Sequence, residues 1–291
     1  GSFRQGEFVM HEQNVDPILK FTACKKIKLA GWISVKETIM EEDTGLDEDG
    51  RKFTTADIDM KALWTDVEPF NPKEICVVKP SYISFDIECN SKNHNSKLPD
   101  PDIPENCIFQ IANTVGRFRD NPSMRKKYRF TLGNPLDIEG VIIYRFKTEK
   151  ELLLDWRSFV EKCNPDIILG YNIVKFDWNY MIQRAEKLGI YTKFAQISRI
   201  IGRRAELKKV SWSSSAYGEQ EFRYLDPHGR TNVDVMLEIE RNYKLPKYSL
   251  DYVSEYFLKQ NKEDVTPRQL FMLYKLTDDL TDVVEALPKD V

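Results

Sequence analysis

The stretch Ser81-Tyr-Ile-Ser-Phe-Asp-Ile-Glu88 constrains the chain more than any other. Ile83, Phe85 and Ile87 fall on one side of an extended strand, and Ser84, Asp86 and Glu88 fall on the other. One face must therefore be buried under another layer, while the opposite face carries two carboxylates. Residues 107–115 and 141–146 are further apolar strand candidates, and 166–169 is a fourth that ends at Gly170. Helices are expected between and after them. Thr148 with Glu151 three residues on is a capping box, and Leu152, Trp156, Phe159, Val160 and Cys163 give the helix it opens one apolar stripe. A helix is predicted over 177–188, closed by Gly189, and others over 232–243, over 249–258 and from Thr266-Pro267 onward. Two β-like runs, 208–212 and 220–225, flank a Ser-rich turn and predict a hairpin. Strands interleaved with helices in this order imply an α/β or α+β layer fold with a mixed sheet flanked by helices.

The first 78 residues read differently. Residues 21–35 suggest a short strand pair, 41–49 an acidic loop, and the proline-rich 67–79 a linker. The expected division is 1–78, a partial β-rich N-terminal segment with a linker, and 79–291, a second domain. A length of 291 residues suits about two domains.

Composition removes several classes of function. With 16 Phe, 13 Tyr and 5 Trp the chain has too many aromatic residues for a disordered protein. Its five cysteines form no C-x-x-C pair and it has three histidines, which speaks against a structural zinc site. Scattered thiols suit a reduced, intracellular compartment. No apolar run approaches the roughly 18 residues a membrane helix needs. A net charge of −3 argues against holding nucleic acid by bulk charge alone.

Two groups of residues carry chemistry. Asp86 and Glu88 project from one face of a rigid strand, and paired hard oxygen ligands suit a divalent cation such as Mg²⁺. The segment Asn172-Ile-Val-Lys-Phe-Asp177 follows a buried strand and a glycine turn and opens a helix. Asp177 reads either as a helix-start charge favoured by the macrodipole or as a site acid held at a strand end. Asp234, in Asn232-Val-Asp-Val235, is a candidate supporting acid or an ordinary helix-start charge.

Together these segments resemble the 3′–5′ proofreading exonuclease domain of B-family DNA polymerases. Phe85-Asp-Ile-Glu-Cys89 is similar to that family's first exonuclease motif, and Gly170-Tyr-Asn-Ile-Val-Lys-Phe-Asp177 to its second, an Asn-x-x-x-Phe-Asp pattern. Leu245-Pro-Lys-Tyr-Ser-Leu-Asp-Tyr-Val-Ser-Glu-Tyr-Phe-Leu258 and Lys262-Glu-Asp-Val265 resemble delta-type and large-DNA-virus polymerases, and Leu29-Ala-Gly-Trp-Ile33 resembles the end of their N-terminal domain. The Ser-Leu-Tyr-Pro-Ser and Tyr-Gly-Asp-Thr-Asp signatures of nucleotide addition are absent, so that half is expected beyond Val291.

The resemblance implies a ribonuclease H-like fold and two divalent cations, Mg²⁺ or Mn²⁺, trimming single-stranded or frayed primer ends. It assigns one cation to Asp86, Glu88 and the acid of a third motif, and a second to Asp86 with help from Asp177. The third motif, Tyr-x-x-x-Asp, is matched by Tyr274 and Asp278, with the Tyr orienting the nucleophile; alternatively that motif lies beyond Val291. None of His11, His94 and His228 lies five residues before an Asp downstream of Asp177, so a histidine version is not expected. Asn172 and Phe176 become candidate substrate contacts, Phe176 by stacking on frayed bases. Lys208 and Lys209 become DNA contacts on the hairpin. Arg117, Arg119, Arg125, Lys126, Lys127 and Arg129 form a second basic run. Implied partners are the primer 3′ end, the polymerase domain of the same chain and a processivity factor, in a nucleus or a cytoplasmic viral replication site. The competing expectation is a catalytically incomplete DNA-binding or scaffolding fragment.

Overall fold

The computed structural model describes residues 14–28, 30–36, 52–56, 58, 62–73, 78–92, 99–214, 218–260, 269 and 274, the side chains of 212–221 excepted. The chain divides into two compact units, Gly1–Val78 and Lys79–Val291.

In the first unit, helix α1 spans Pro17–Lys25 and strands β1 (Trp32–Val35) and β2 (Val67–Phe70) pair antiparallel, with Trp32 opposite Phe70 and Val35 opposite Val67. This corrects two expectations. Residues 21–25 are helical, because Asp16 caps the helix by accepting from the Ile18 and Leu19 amides at 2.8 and 3.2 Å and Pro17 pre-sets its first turn. The supposed linker supplies β2, whose Pro69 is tolerated in a two-stranded ribbon. Lys25 donates to the Thr65 carbonyl at 2.7 Å and lies over the Trp64 ring. The acidic run at 41–49 lies outside the described residues.

In the second unit, strands β3 (Ser81–Cys89), β4 (Ile108–Arg117), β5 (Lys126–Leu132) and β6 (Val141–Phe146) are followed by helix α2 (Glu149–Cys163), strand β7 (Ile167–Gly170) and helices α3 (Asp177–Lys187) and α4 (Tyr191–Phe194). The hairpin β8 (Glu206–Ser214) and β9 (Gly218–Asp226) comes next, then β10 (Thr231–Asp234), α5 (Val235–Asn242) and α6 (Leu250–Leu258). Six strands form one mixed sheet in the order β10-β7-β3-β4-β5-β6, in which β4 alone runs against the rest. Two differences from expectation appear here. Residues 231–234 are a strand paired parallel to β7, with the helix starting only at Val235. The basic run 126–132 is a sheet strand, because its cations alternate with Tyr128, Phe130 and Leu132. The helix expected from Thr266-Pro267 lies outside the described residues.

The core explains the order. Phe85 packs on Trp156 of α2 and Trp178 of α3, ring centroids 5.2 and 5.1 Å away, and Ile83, Ile87, Ile111, Phe130 and Ile168 complete that side. The capping box is formed, with the Glu151 amide donating to Thr148 Oγ1 and the Thr148 amide to the Glu151 carboxylate. Asn113, buried in the same face, is satisfied by the Trp156 indole N–H at 2.9 Å. A second buried polar group sits at the core's edge, where Glu149 accepts from the Ile108 amide and from Arg184 Nε. The same guanidinium donates to the carbonyls of Pro101, Ile103 and Pro104, so one arginine fixes the chain entering β4.

Candidate active site

The site lies at the carboxyl ends of β3, β7 and β10, the end where parallel strands present loops to ligands. β7 pairs with β3 only from Tyr82 to Ser84, so beyond that point the β7 side of β3 has no strand neighbour. The chain leaves β7 through Gly170, where a Cβ would stand 2.6 Å from the Phe85 carbonyl and 2.4 Å from Ile173. No other residue type fits so close an approach. The turn continues through Asn172 at φ +62, a left-handed conformation that Asn adopts more readily than most residues.

The carboxylate of Asp234 builds this turn. It accepts from the amides of Asn172 (2.9 Å) and Val174 (3.0 Å), and from its own helix at Met236 (3.0 Å). It is therefore both the cap of α5 and the post that positions the loop leading to α3. The signal was present in the sequence as an Asp directly before a periodic run, but the loop it grips lies about sixty residues away.

Asp177 then opens α3 with its carboxylate returned to β3, where it accepts the Ile87 amide at 3.0 Å. That amide lies between Asp86 and Glu88, whose side chains leave β3 on the face opposite Ile87. Asp177 thus docks on the middle of the three-residue stretch Asp86-Ile87-Glu88 of β3. Asp177 is 2% exposed, and burial, reinforced by the negative charge of Asp86, pushes its carboxyl up to about 8 against the pull of the Ile87 hydrogen bond. The side-chain oxygen of Asn172 is buried without a hydrogen-bond partner among the described residues. A buried acid with a strongly raised pKa and an orphaned acceptor mark this strand end as a candidate functional site. Among the described residues no group of three or more His, Cys, Asp or Glu side chains stands placed to hold a metal ion.

The remaining candidates are placed as follows. Phe176 is partly buried against the core and packs on Tyr180, centroids 5.7 Å apart. Tyr274 stacks on Phe109 at 4.6 Å with its hydroxyl 3.3 Å from the Cys107 sulfur, at the start of β4. Asp278 lies outside the described residues. Lys208 is held by Glu206 at 2.8 Å, and that hydrogen bond raises its pKa. Lys209 sits next to it on β8, paired in register with Arg223 of β9. Arg223 in turn bridges to Glu186 of α3 at 3.0 Å, which ties the hairpin to the helix that starts with Asp177.

Comparison with known proteins agrees with this geometry. Residues 8–253 match the family model for the DNA polymerase family B exonuclease domain. The chain is 34% identical over 261 residues to a DNA polymerase delta catalytic subunit of Glycine max, covering 89% of this chain and 23% of that one. It is 33% identical over 271 residues to DNA polymerase 120R of Invertebrate iridescent virus 3, covering 92% and 24% respectively. With a delta catalytic subunit of Dictyostelium discoideum the identity is 40% over 197 residues, 68% of this chain and 17% of that one. The chain thus spans about a quarter or less of the length of these relatives. No helix among the described residues is long and apolar enough to cross a membrane.

Proposed function

Since the chain belongs to the exonuclease domain family of the family B DNA polymerases, we propose that it removes the 3′-terminal nucleotide of single-stranded or frayed DNA, as the proofreading part of a replicative polymerase. The observation that carries this reading is the docking of Asp177 on the amide between Asp86 and Glu88, which joins two motifs 90 residues apart at one strand end.

Asp86, Glu88 and Asp177 would hold the two divalent cations, Mg²⁺ or Mn²⁺, with Asp278 as a fourth acid if the third motif lies within this chain. When bound, such ions supply an activated water and a neutralised leaving oxygen for in-line displacement. The donors fit in kind: all are carboxylates, the hard oxygen ligands these ions take. Asp177 must release its proton to serve, so its burial makes it an acid that ionises in response to positive charge nearby. Asp86, exposed on the open face of β3, would be one of the ligands. Asn172 offers its unpartnered oxygen to a donor on the terminal nucleotide, and Phe176 lines the approach. Tyr274 orients the nucleophile only if the segment around it leaves the Phe109 stack. Lys208 and Lys209, neighbours on β8, are the hairpin cations that would guide the strand.

Residues 1–78 are assigned to part of an N-terminal domain and linker, and 79–291 to the nuclease itself. The partners are the primer end, the polymerase domain of the same protein and a processivity factor, in a nucleus or a viral replication site.

The test is shortening of a 5′-labelled single strand with Mg²⁺ or Mn²⁺. Loss of shortening in an Asp86→Ala, Glu88→Ala double variant that still folds supports the assignment. DNA binding without shortening in either metal favours the incomplete, scaffolding reading.

A further inference from the structure

The face of the sheet that bears Asp86 carries a second feature. Cross-strand register places Asp86 beside Ala112 and Ala112 beside Arg129, so the three form one row on one face. The next row is Ser84, Thr114, Lys127 and Val141. Because Ala112 contributes only a methyl group, the space between the acid and the arginine stays open. A groove of about 190 Å³ occupies it, lined among others by Ser84, Asp86, Thr114, Lys127 and Arg129.

The cations in this groove lack acidic partners. Among the described residues the side chains of Lys127 and Arg129 make no ion pair and no hydrogen bond. Arg145, one row further along the same face, is by contrast taken by Asp137. Two strand spacings separate Arg129 from Asp86, roughly 10 Å between backbones, and both side chains extend into the gap. A strand whose last phosphate meets carboxylates needs positive charge a short step back along its backbone, or the acids repel it.

We propose that Lys127 and Arg129 hold a backbone phosphate of the DNA strand on the 5′ side of the bond cut at Asp86 and Glu88, with Thr114 and Ser84 as hydroxyl donors in the same groove. The proposal rests on the nuclease reading for the direction of the strand, but not for the binding itself. It also gives Ala112 a function: its small side chain keeps the groove passable.

The test is binding of a fluorescent single-stranded oligothymidylate to the 291-residue chain in chelator, measured across a salt series. Each phosphate contact removed lowers the slope of log affinity against log salt by about 0.7; the two cations hold one phosphate, so Lys127→Gln with Arg129→Gln lowers it by about 0.7 and weakens binding roughly five-fold near 0.1 M salt. Arg129→Lys retains the slope, which separates charge from folding. Ala112→Leu weakens binding with the slope unchanged, because it blocks the groove without removing a cation. In metal, the double variant raises KM several-fold and leaves kcat within two-fold. Wild-type affinity and slope in the double variant overturn the proposal, while Asp86→Ala, Glu88→Ala reports on the nuclease reading separately. A wild-type chain that binds the strand through these cations but never cuts it leaves the groove standing and removes the nuclease. A wild-type chain that binds no single strand removes the groove.

Discussion

Asp177 Oδ1 accepts the backbone N–H of Ile87 at 3.0 Å, at the point where β3 has lost β7 as its neighbour. A side chain thus takes the ladder position a strand would have filled, and the group that satisfies the backbone is also the acid proposed for the site. The two duties conflict once the carboxylate is charged, because it is buried beside Asp86.

That conflict sets a pH dependence. The carboxyl is raised from the ordinary 3.8 to about 8, so between those values the native state holds a proton that the unfolded chain has released. Stability of the metal-free protein therefore falls as pH rises through this window and is least penalised below it. Asp177→Asn keeps the acceptor for Ile87 and removes the charge. In chelator it is expected to be more stable than wild type at pH 8, by on the order of a few kcal/mol, and so to melt at a higher temperature, with the gap shrinking toward pH 4. Thermal melts at the two pH values check this, and a gap that does not change with pH would be the contrary result. Cleavage in Asp177→Asn is expected to fall by at least about a hundred-fold, the size of effect expected when a group that stabilises transition-state charge is removed.

Much of this site was legible because it is local. Period-two alternation placed Asp86 and Glu88 on one face, and the approach to a helix start singled out Asp177. What stayed hidden depends on pairing across distance. Arg117, Arg119, Arg125, Lys126, Lys127 and Arg129 read as a basic run, and only the register with β4 turns Lys127 and Arg129 into one face and Phe130 into core. Residues 232–234 read as the start of a helix running to Tyr243, and parallel pairing of Thr231–Asp234 to β7 decides them instead. In the first unit the strand-like character of Phe21 outweighed the Asp16-Pro17 start signal that in fact governs. Motifs fix what each acid is, while long-range contacts fix what it touches.

Asp234 is expected to matter more than its distance from β3 in sequence suggests. Asp234→Ala strands the amides of Asn172, Val174 and Met236 and should lower stability by about 2–4 kcal/mol, since bonds to a charged acceptor are worth about 1.5–3 kcal/mol each and water recovers part of the loss. Asp234→Asn, which keeps one oxygen acceptor, should lose roughly half as much. Urea midpoints at constant m-value measure both. A loss confined to α5, with cleavage intact, would mean the carboxylate serves only as a helix cap.

Gly170→Ala tests the close approach of the turn to β3. The new Cβ would meet the Phe85 carbonyl and the Ile173 methyl well inside contact distance, and neither is the far end of a flexible side chain. Overpacking of this kind costs about 1–3 kcal/mol. Because Asp177 lies seven residues on, the displacement should also reduce cleavage in the soluble fraction. Equal stability and equal rate in the variant would show that the loop can give way.

The Glu149–Arg184 pair offers a test independent of the chemistry. Both groups are buried, and Arg184 also donates to three carbonyls that position the chain before β4. Removing one partner leaves a charge without its counter-ion in the core, so Glu149→Gln and Arg184→Met are each expected to cost about 3–5 kcal/mol. The double replacement Glu149→Gln, Arg184→Met removes both charges, and for charge alone it should cost less than either single change. Here the orphaned carbonyls of Pro101, Ile103 and Pro104 oppose that recovery, because they lose a donor whichever residue replaces the arginine. The expected cycle therefore shows the double variant well below the sum of the two single losses, yet not above wild type. Denaturant unfolding of the four proteins measures it. Simple additivity would mean the two side chains act through separate contacts and that the ion pair contributes nothing of its own.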